Sequence, residues 1–466
     1  MKIVILLVIV MSSLARLTYR NDLFGREEIV KAKNTEWFTQ KLDHNDPTSQ
    51  EFFRQRFHIY DDYVQDQQPE AVILYICGEW TCDGIGKGLT FDAAQQLKAV
   101  ILVLEHRYYG QSQPFEDWST PNLKYLNIHQ ALDDIAYFIM SIKANGYYNI
   151  KPDTPWIHLG GSYPGALSAW FRYKYPHLTI GGLASSAVVR AVACYHEYDM
   201  QVYLSALESS QECVDRIQQV NQKIEDDLAT DPTTIKAAFN ASELKDIEFL
   251  SMIADIYAGM VQGRQRSQMC ERLQKGNTLQ EWFDEIILMA EETVDQESYG
   301  SEFLKDINID FSKSSRQWTY QTCIEVGYFQ TANPNAEQST RSQQLVLDFF
   351  RQLCEYSYDV PIFPDEDRTN AYYGGLDINV DHLIFSNGSD DPWQHASITK
   401  WKQGKEYDVK YIKCKDCSHC IDLKASSPED PPELTQARQE ILAIFQQWIN
   451  EHLQQQQQKK QSQIIE

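Results

Sequence analysis

Ser162 lies in the run Gly160-Gly161-Ser162-Tyr163-Pro164-Gly165, between an apolar stretch at 156–159 and an aromatic-rich segment at 166–175. Small residues around a serine let a strand turn into a helix within two residues. That lifts the hydroxyl clear of the sheet edge and aims the free N–H groups of the helix at the same spot. The pattern G-x-S-x-G is met only in relaxed form, because Pro164 stands at the second glycine position. An activated serine needs a base within hydrogen-bond reach and an acid that fixes the base's tautomer. Asp391, in N-G-S-D-D-P-W at 387–393, follows a strand-like run at 382–386, and His419, in D-C-S-H-C at 416–420, follows another at 409–412. Serine, then acid, then histidine, each just past a strand, is the chain order of an α/β-hydrolase site. Asp390 competes with Asp391 and the sequence does not separate them. His106 and His395 are rival histidines, but neither follows the acid by the distance of one further strand. Oxyanion donors would be the Tyr163 N–H and an N–H near Gly78-Glu79, after a strand at 71–76. Glu105, His106 and Arg107 read as a buried polar brace under the site.

Each piece has an ordinary reading of its own: a glycine turn, an aspartate before proline, a structural histidine. Their order and placement after strands carry the case. The runs at 71–76 and 100–104 are continuous and β-branched, as in buried parallel strands, and residues 36–63 suggest an antiparallel pair. Ile128, Leu132, Ile135, Ile139 and Ile142 recur at helical spacing up to Asn145-Gly146. Strand and helix alternate through about residue 190, which predicts a largely parallel sheet covered on both faces. From 191 to 375 the chain turns glutamine-rich, acidic and helical, as at 217–228 and 279–292, and this reads as an insert. Alternation resumes at 376–453 with a last helix over 432–453, and a Gln-rich tail at 454–466 is expected to fray.

The 466 residues carry 42 Lys and Arg against 66 Asp and Glu, a net charge of -24. No basic patch is present, so nucleic acid is not an expected partner. Nine apolar residues at 3–11 followed by Ser13-Leu14-Ala15 read as a signal peptide over 1–15, with no membrane association after its removal. Ten cysteines then fit an oxidising compartment. The triplet Cys414, Cys417, Cys420 resembles a metal site only superficially, since His419 would have to turn the same way as the thiolates. No metal or cofactor is expected. Asn240 heads a trusted glycosylation sequon; the sequon at Asn387 falls in the candidate active-site loop and is not trusted.

The chain resembles the S28 family of serine peptidases, the group of the lysosomal Pro-Xaa carboxypeptidase, dipeptidyl peptidase II and thymus-specific types. The shared words are F-T-Q-K-L-D-H at 38–44, E-H-R-Y-Y-G at 105–110, G-G-S-Y-P-G at 160–165 and A-S-S-A at 184–187. They continue with W-T-Y-Q-T-C-I-E-V-G at 318–327, F-S-N-G at 385–388, D-P-W at 391–393 and S-H-C-I-D-L at 418–423. R-Q-W-x-Y-Q-T-C and S-H-C-I-D lie nearest the thymus-specific type. The resemblance implies an α/β-hydrolase fold with a helical cap insert, nucleophile Ser162, acid Asp391 rather than Asp390, and base His419. It also implies the disulfides Cys213–Cys270 and Cys323–Cys354, and leaves the other six cysteines unassigned. Pro164, and the valines after A-S-S-A, depart from the family pattern.

The resulting expectation is a secreted or lysosomal/vacuolar serine exopeptidase cleaving peptides near a terminus, after proline, from either end. Family members of the digestive type work at acid pH, which would suit a His419 of lowered pKa. Glu325 is a candidate receptor for a substrate amino terminus. A homodimer stays open, as does strictness towards proline. An esterase or lipase on the same scaffold would hydrolyse short acyl esters but not prolyl peptides. A non-catalytic peptide-binding protein would resist labelling by a fluorophosphonate.

Overall fold

The computed structural model describes residues 29–32, 34–65 and 68–465, so the expected signal peptide at 1–15 lies outside the described residues. One sheet of eight strands organises the molecule: β1 (Asn34–Lys41), β2 (Phe52–Tyr60), β3 (Ala71–Ile76), β4 (Ala99–Leu104), β5 (Trp156–Gly161), β6 (Gly181–Ser185), β7 (Asp381–Gly388) and β8 (Glu406–Ile412). Their spatial order is β8-β7-β6-β5-β3-β4-β2-β1. β1 and β2 pair antiparallel, with Lys41 opposite Phe52, and β2 is antiparallel to β4. All other neighbours are parallel. A mixed sheet in this order, with helices on both faces, is the α/β-hydrolase architecture.

The central strands are apolar on both faces because both faces are covered. Val72, Leu74, Ile76, Val100, Leu102 and Leu104 point to one side, where α2 (Ile128–Asn145) and α3 (Tyr163–Lys174) pack. Ile73, Ile101, Val103, Ile157 and Leu159 point to the other, against α1 (Leu89–Leu97) and the late helix bearing Ile441, Phe445 and Trp448. Period-two alternation between two apolar layers explains runs that do not alternate in polarity. In α2 the five expected isoleucine and leucine positions are all buried, each contributing roughly 1.5–3 kcal/mol of transfer free energy. The Asn127 side chain accepts from the Gln130 N–H at its start, and Gly146, at φ 62°, ends it.

Between β6 and β7 the chain is mainly helical. It runs through α4 (His196–Ser209), α5 (Gln211–Thr230), α6 (Asp246–Gln262), α7 (Arg266–Lys275) and α8 (Leu279–Thr293), then through shorter helices. Cys213 in α5 is disulfide-bonded to Cys270 in α7, and Cys323 to Cys354. Two further disulfides join Cys77 to Cys82 and Cys414 to Cys417. The second takes two thiols out of the triplet read above as a superficial metal motif. Cys194 and Cys420 are free.

The last helix, α9 (Pro432–Ile465), departs from expectation by continuing through the glutamine tract. Gln447 donates to Glu451 one turn on, and both His452 and Gln456 reach the Asp153 carbonyl, so the tract is anchored instead of frayed. Among the described residues no helix is long and apolar enough to cross a membrane.

α3 approaches β6 so closely that a Cβ on Gly165 would stand 2.4 Å from the Ser185 carbonyl oxygen and 3.2 Å from that of Gly160. Both obstacles are backbone and cannot rotate away. Gly165→Ala is therefore expected to destabilise the protein by about 1–3 kcal/mol, read as a lower denaturant midpoint, with activity falling as the helix is pushed off the sheet.

Candidate active site

β5 ends in Gly160-Gly161, and Ser162 takes φ 66°, ψ -129° before α3 begins at Tyr163. A non-glycine residue in this region is strained, and such strain persists where the surroundings enforce it. Here the Ser162 N–H donates to the Ser185 carbonyl at 2.9 Å, while the Ser162 carbonyl accepts from the Ala166 N–H at 3.0 Å. A Cβ on Gly160 would meet the Pro164 carbonyl oxygen at 2.3 Å. Pro164 occupies the first turn of α3, where a missing N–H costs little. Its ring packs on the chain after β3, so closely that a Cβ on Gly78 would lie 2.3 Å from its Cγ. The departure from the usual small residue is thus absorbed by a glycine across the turn.

The two adjacent aspartates have separate partners. Both Asp391 carboxylate oxygens lie 3.0 Å from His419 Nδ1, and Oδ1 also accepts from the Trp393 N–H at 2.9 Å. Asp390 turns the other way: its Oδ2 accepts from Arg266 Nε at 3.1 Å and Nη2 at 2.9 Å, from α7. Burial pushes the Asp390 carboxyl up to about 6 against the pull of that guanidinium. Ser162 and His419 line one cavity of about 580 Å³, together with Glu79, Trp318, Tyr328 and Trp393. The size falls in the usual range for small-molecule sites.

Burial acts to lower the His419 pKa, but the charge and hydrogen bond of Asp391, aided by Cys420, outweigh it and hold His419 well above the ordinary histidine value. This corrects the expectation of a lowered pKa. A buried carboxylate facing Nδ1 favours the imidazolium more than desolvation disfavours it.

The remaining candidates fall into place around these. Tyr163 is the first residue of α3; its hydroxyl accepts from Gln321 Nε2 at 2.7 Å and lies 3.1 Å from His106 Nε2. His106 is thereby occupied, and burial depresses its pKa to about 4. His395 meets Gln201 at 3.1 Å. Arg107 forms a buried two-point ion pair with Asp134, at 2.7 and 2.5 Å, while Glu105 pairs with Arg56 at 2.6 Å. The brace is real in position, but Arg107 takes its acid from α2 and not from the neighbouring Glu105.

Glu325 is not brought to the cavity. Its Oε2 accepts from the Ile128 N–H at 2.8 Å, serving the N-terminus of α2, where a carboxylate complements the helix dipole. Two carboxylates do line the cavity, Asp255 of α6 and Glu79, two residues after Cys77. The available signal was a carboxylate directly after a buried strand, beside the glycine already read as an oxyanion segment. Asn387 is buried, with its Nδ2 donating to the Ile398 carbonyl at 2.9 Å, so its sequon is closed; Asn240 is exposed.

The family model for serine carboxypeptidase S28 matches residues 40–441. The chain belongs to this family. It is therefore a serine peptidase, with peptides as substrates. The probable serine protease EDA2 of Arabidopsis thaliana is 36% identical over 92% of this chain and 91% of its own. The thymus-specific serine protease of Mus musculus is 28% identical over 89% and 87%. The lysosomal Pro-X carboxypeptidase of Homo sapiens is 25% identical over 91% and 90%. Among solved structures, a proline iminopeptidase of Mycobacterium smegmatis aligns over 90% of this chain and 98% of that one, at 12% identity and a TM-score of 0.34.

A general base must be neutral to accept a proton, so with His419 as the base its raised pKa would place the acidic limb of the kcat/KM profile above pH 6.5, with activity gained as pH rises through it. Asp391→Asn removes the charge that raises it. That variant is expected to shift the limb to lower pH and reduce kcat about 10⁴-fold, whereas Asp390→Asn leaves the limb in place; pH–rate profiles of the two variants check this.

Proposed function

We propose that Ser162, His419 and Asp391 are the nucleophile, base and acid of an exopeptidase that cleaves after proline near a peptide end. The observation that carries this is the Asp391–His419 contact opening into the cavity that also holds Ser162 at its strained turn. Ser162 Oγ attacks the carbonyl carbon while His419 takes its proton; Asp391 holds the imidazole and compensates its positive charge. The Tyr163 N–H, at the head of α3, and an N–H of the Gly78 segment are the proposed donors to the oxyanion. Collapse passes the proton from His419 to the leaving amine, and water repeats the sequence on the acyl-enzyme.

Proline preference is supported by the cavity wall. Trp393 lies 4.8 Å from Tyr198 and 5.7 Å from Tyr328, ring centre to ring centre, and Trp318 lies 5.3 Å from Tyr163. Flat aromatic faces grip a rigid apolar ring with little loss of conformational freedom. Restriction to chain ends is supported by the helical insert, whose α6 and α8 contribute Asp255, Gln262 and Thr293 to the cavity wall. Four disulfides and the exposed Asn240 support maturation in the secretory pathway.

Ser162→Ala should reduce turnover of a prolyl peptide by about 10⁶-fold and abolish fluorophosphonate labelling while leaving the fold intact. An Xaa-Pro reporter should be cut at least tenfold better than its Xaa-Gly counterpart; equal rates would remove the proline preference. Expressed in a secreting eukaryotic host, the chain should show an endoglycosidase-sensitive mass shift that Asn240→Gln eliminates.

A further inference from the structure

Glu79 lines the cavity with one carboxylate oxygen unpartnered. It follows β3 through Cys77 and Gly78, in a loop closed by the Cys77–Cys82 disulfide, and lines the same space as Ser162 and His419. Its Oε2 is buried and meets no hydrogen-bond donor. Burial pushes the Glu79 carboxyl up to about 7, against small opposing effects from its own backbone and from His419. The second acid of the cavity, Asp255, is already engaged: Oδ1 accepts from Arg341 at 2.5 Å and Oδ2 from the Tyr299 hydroxyl at 3.2 Å.

A buried carboxylate oxygen with no donor is costly. Its position makes it costlier during catalysis. The neighbouring Gly78 segment is where negative charge would develop on the substrate oxygen, and a bare carboxylate beside it opposes that charge. A substrate that brings a cation to Glu79 removes both penalties. A peptide carries one such group on every chain, its free α-ammonium, and offers it with three donors. A free carboxylate, the mark of the other chain end, would instead face a like charge in a low-dielectric space.

We infer that Glu79 receives the α-ammonium group of the substrate, so that the enzyme trims peptides from the amino end and releases a short amino-terminal fragment ending in the residue held by the aromatic wall. The inference rests on Ser162 being the nucleophile of this cavity. It replaces Glu325, which is spent on the start of α2, as the recognition acid.

The test uses the full mature chain at pH 8, where Glu79 is ionised, with Ala-Pro-p-nitroanilide free or Nα-acetylated, and acetyl-Ala-Pro-Phe. The free form should be cleaved at least 100-fold better than the acetylated form, and phenylalanine should not be released from the third. Glu79→Gln should lower kcat/KM for the free form about 100-fold and raise that for the acetylated form, because the uncovered charge no longer opposes the oxyanion. A readout independent of turnover is protection of Ser162 from fluorophosphonate by the dipeptide Ala-Pro. Wild type should be protected by free Ala-Pro and not by its acetylated form, and Glu79→Gln should lose the distinction. Equal cleavage of both reporters, release of phenylalanine, or an equal loss on both reporters in Glu79→Gln would each overturn the inference. Ser162 that labels normally, with free Ala-Pro protecting but no prolyl substrate cut, would uphold Glu79 and remove the proline-peptidase reading. Failure of Ser162 to label at all would remove both.

Discussion

The structure depends on how closely three backbones meet at the end of β5. The Ser162 N–H reaches the Ser185 carbonyl, Gly165 rests against that same oxygen, and Gly78 lies under the Pro164 ring. None of these approaches tolerates a side-chain carbon. Together they hold Ser162 in a conformation that a free chain would leave at once, since the strain of order 1–3 kcal/mol is outweighed by contacts made on every side. The remaining parts of the site are arranged relative to this fixed point. α3 starts there, the loop after β3 is braced against it, and the loops after β7 and β8 close over it with Asp391 and His419.

Much of this was legible in the chain itself. The runs at 71–76 and 100–104 are apolar without alternation because both sheet faces are covered, and that signature survives without any knowledge of the neighbours. The serine turn was equally visible, since only small residues fit the crossing. What local pattern could not supply was partnership over long distances. Asp390 and Asp391 are chemically identical in sequence, and what divides them is Arg266, 124 residues earlier on α7. Glu325 could be read either as a recognition acid or as a structural charge, and the first N–H of α2 decides for the second. The glutamine tract looked frayed because its anchor, the Asp153 carbonyl, lies about 300 residues away. The two short-range disulfides were left unassigned because spacing alone does not choose among ten thiols.

The electrostatics of the cavity also follow from burial more than from composition. A chain with a net charge of -24 keeps its interior carboxylates paired or hydrogen-bonded almost everywhere: Asp134 on Arg107, Glu105 on Arg56, Asp390 on Arg266, Asp391 on His419. Among the described residues, buried carboxylate oxygens go unanswered on Glu79, Glu197 and Asp422, and of these Glu79 lines the cavity, where the proposed counterpart is a part of the substrate. His419, held cationic more readily than a free imidazole, is a weaker acceptor below neutrality. With His419 as the proposed base, activity would be lost as pH falls through its raised pKa.

The Cys77–Cys82 ring encloses the segment that carries both Gly78 and Glu79. Such a ring closes only where thiols are oxidised. Where the thiols stay reduced, the proposed oxyanion donor and the carboxylate would lose this covalent constraint. Oxidation of this one pair would thus be a step in assembling the site, separate from folding of the sheet.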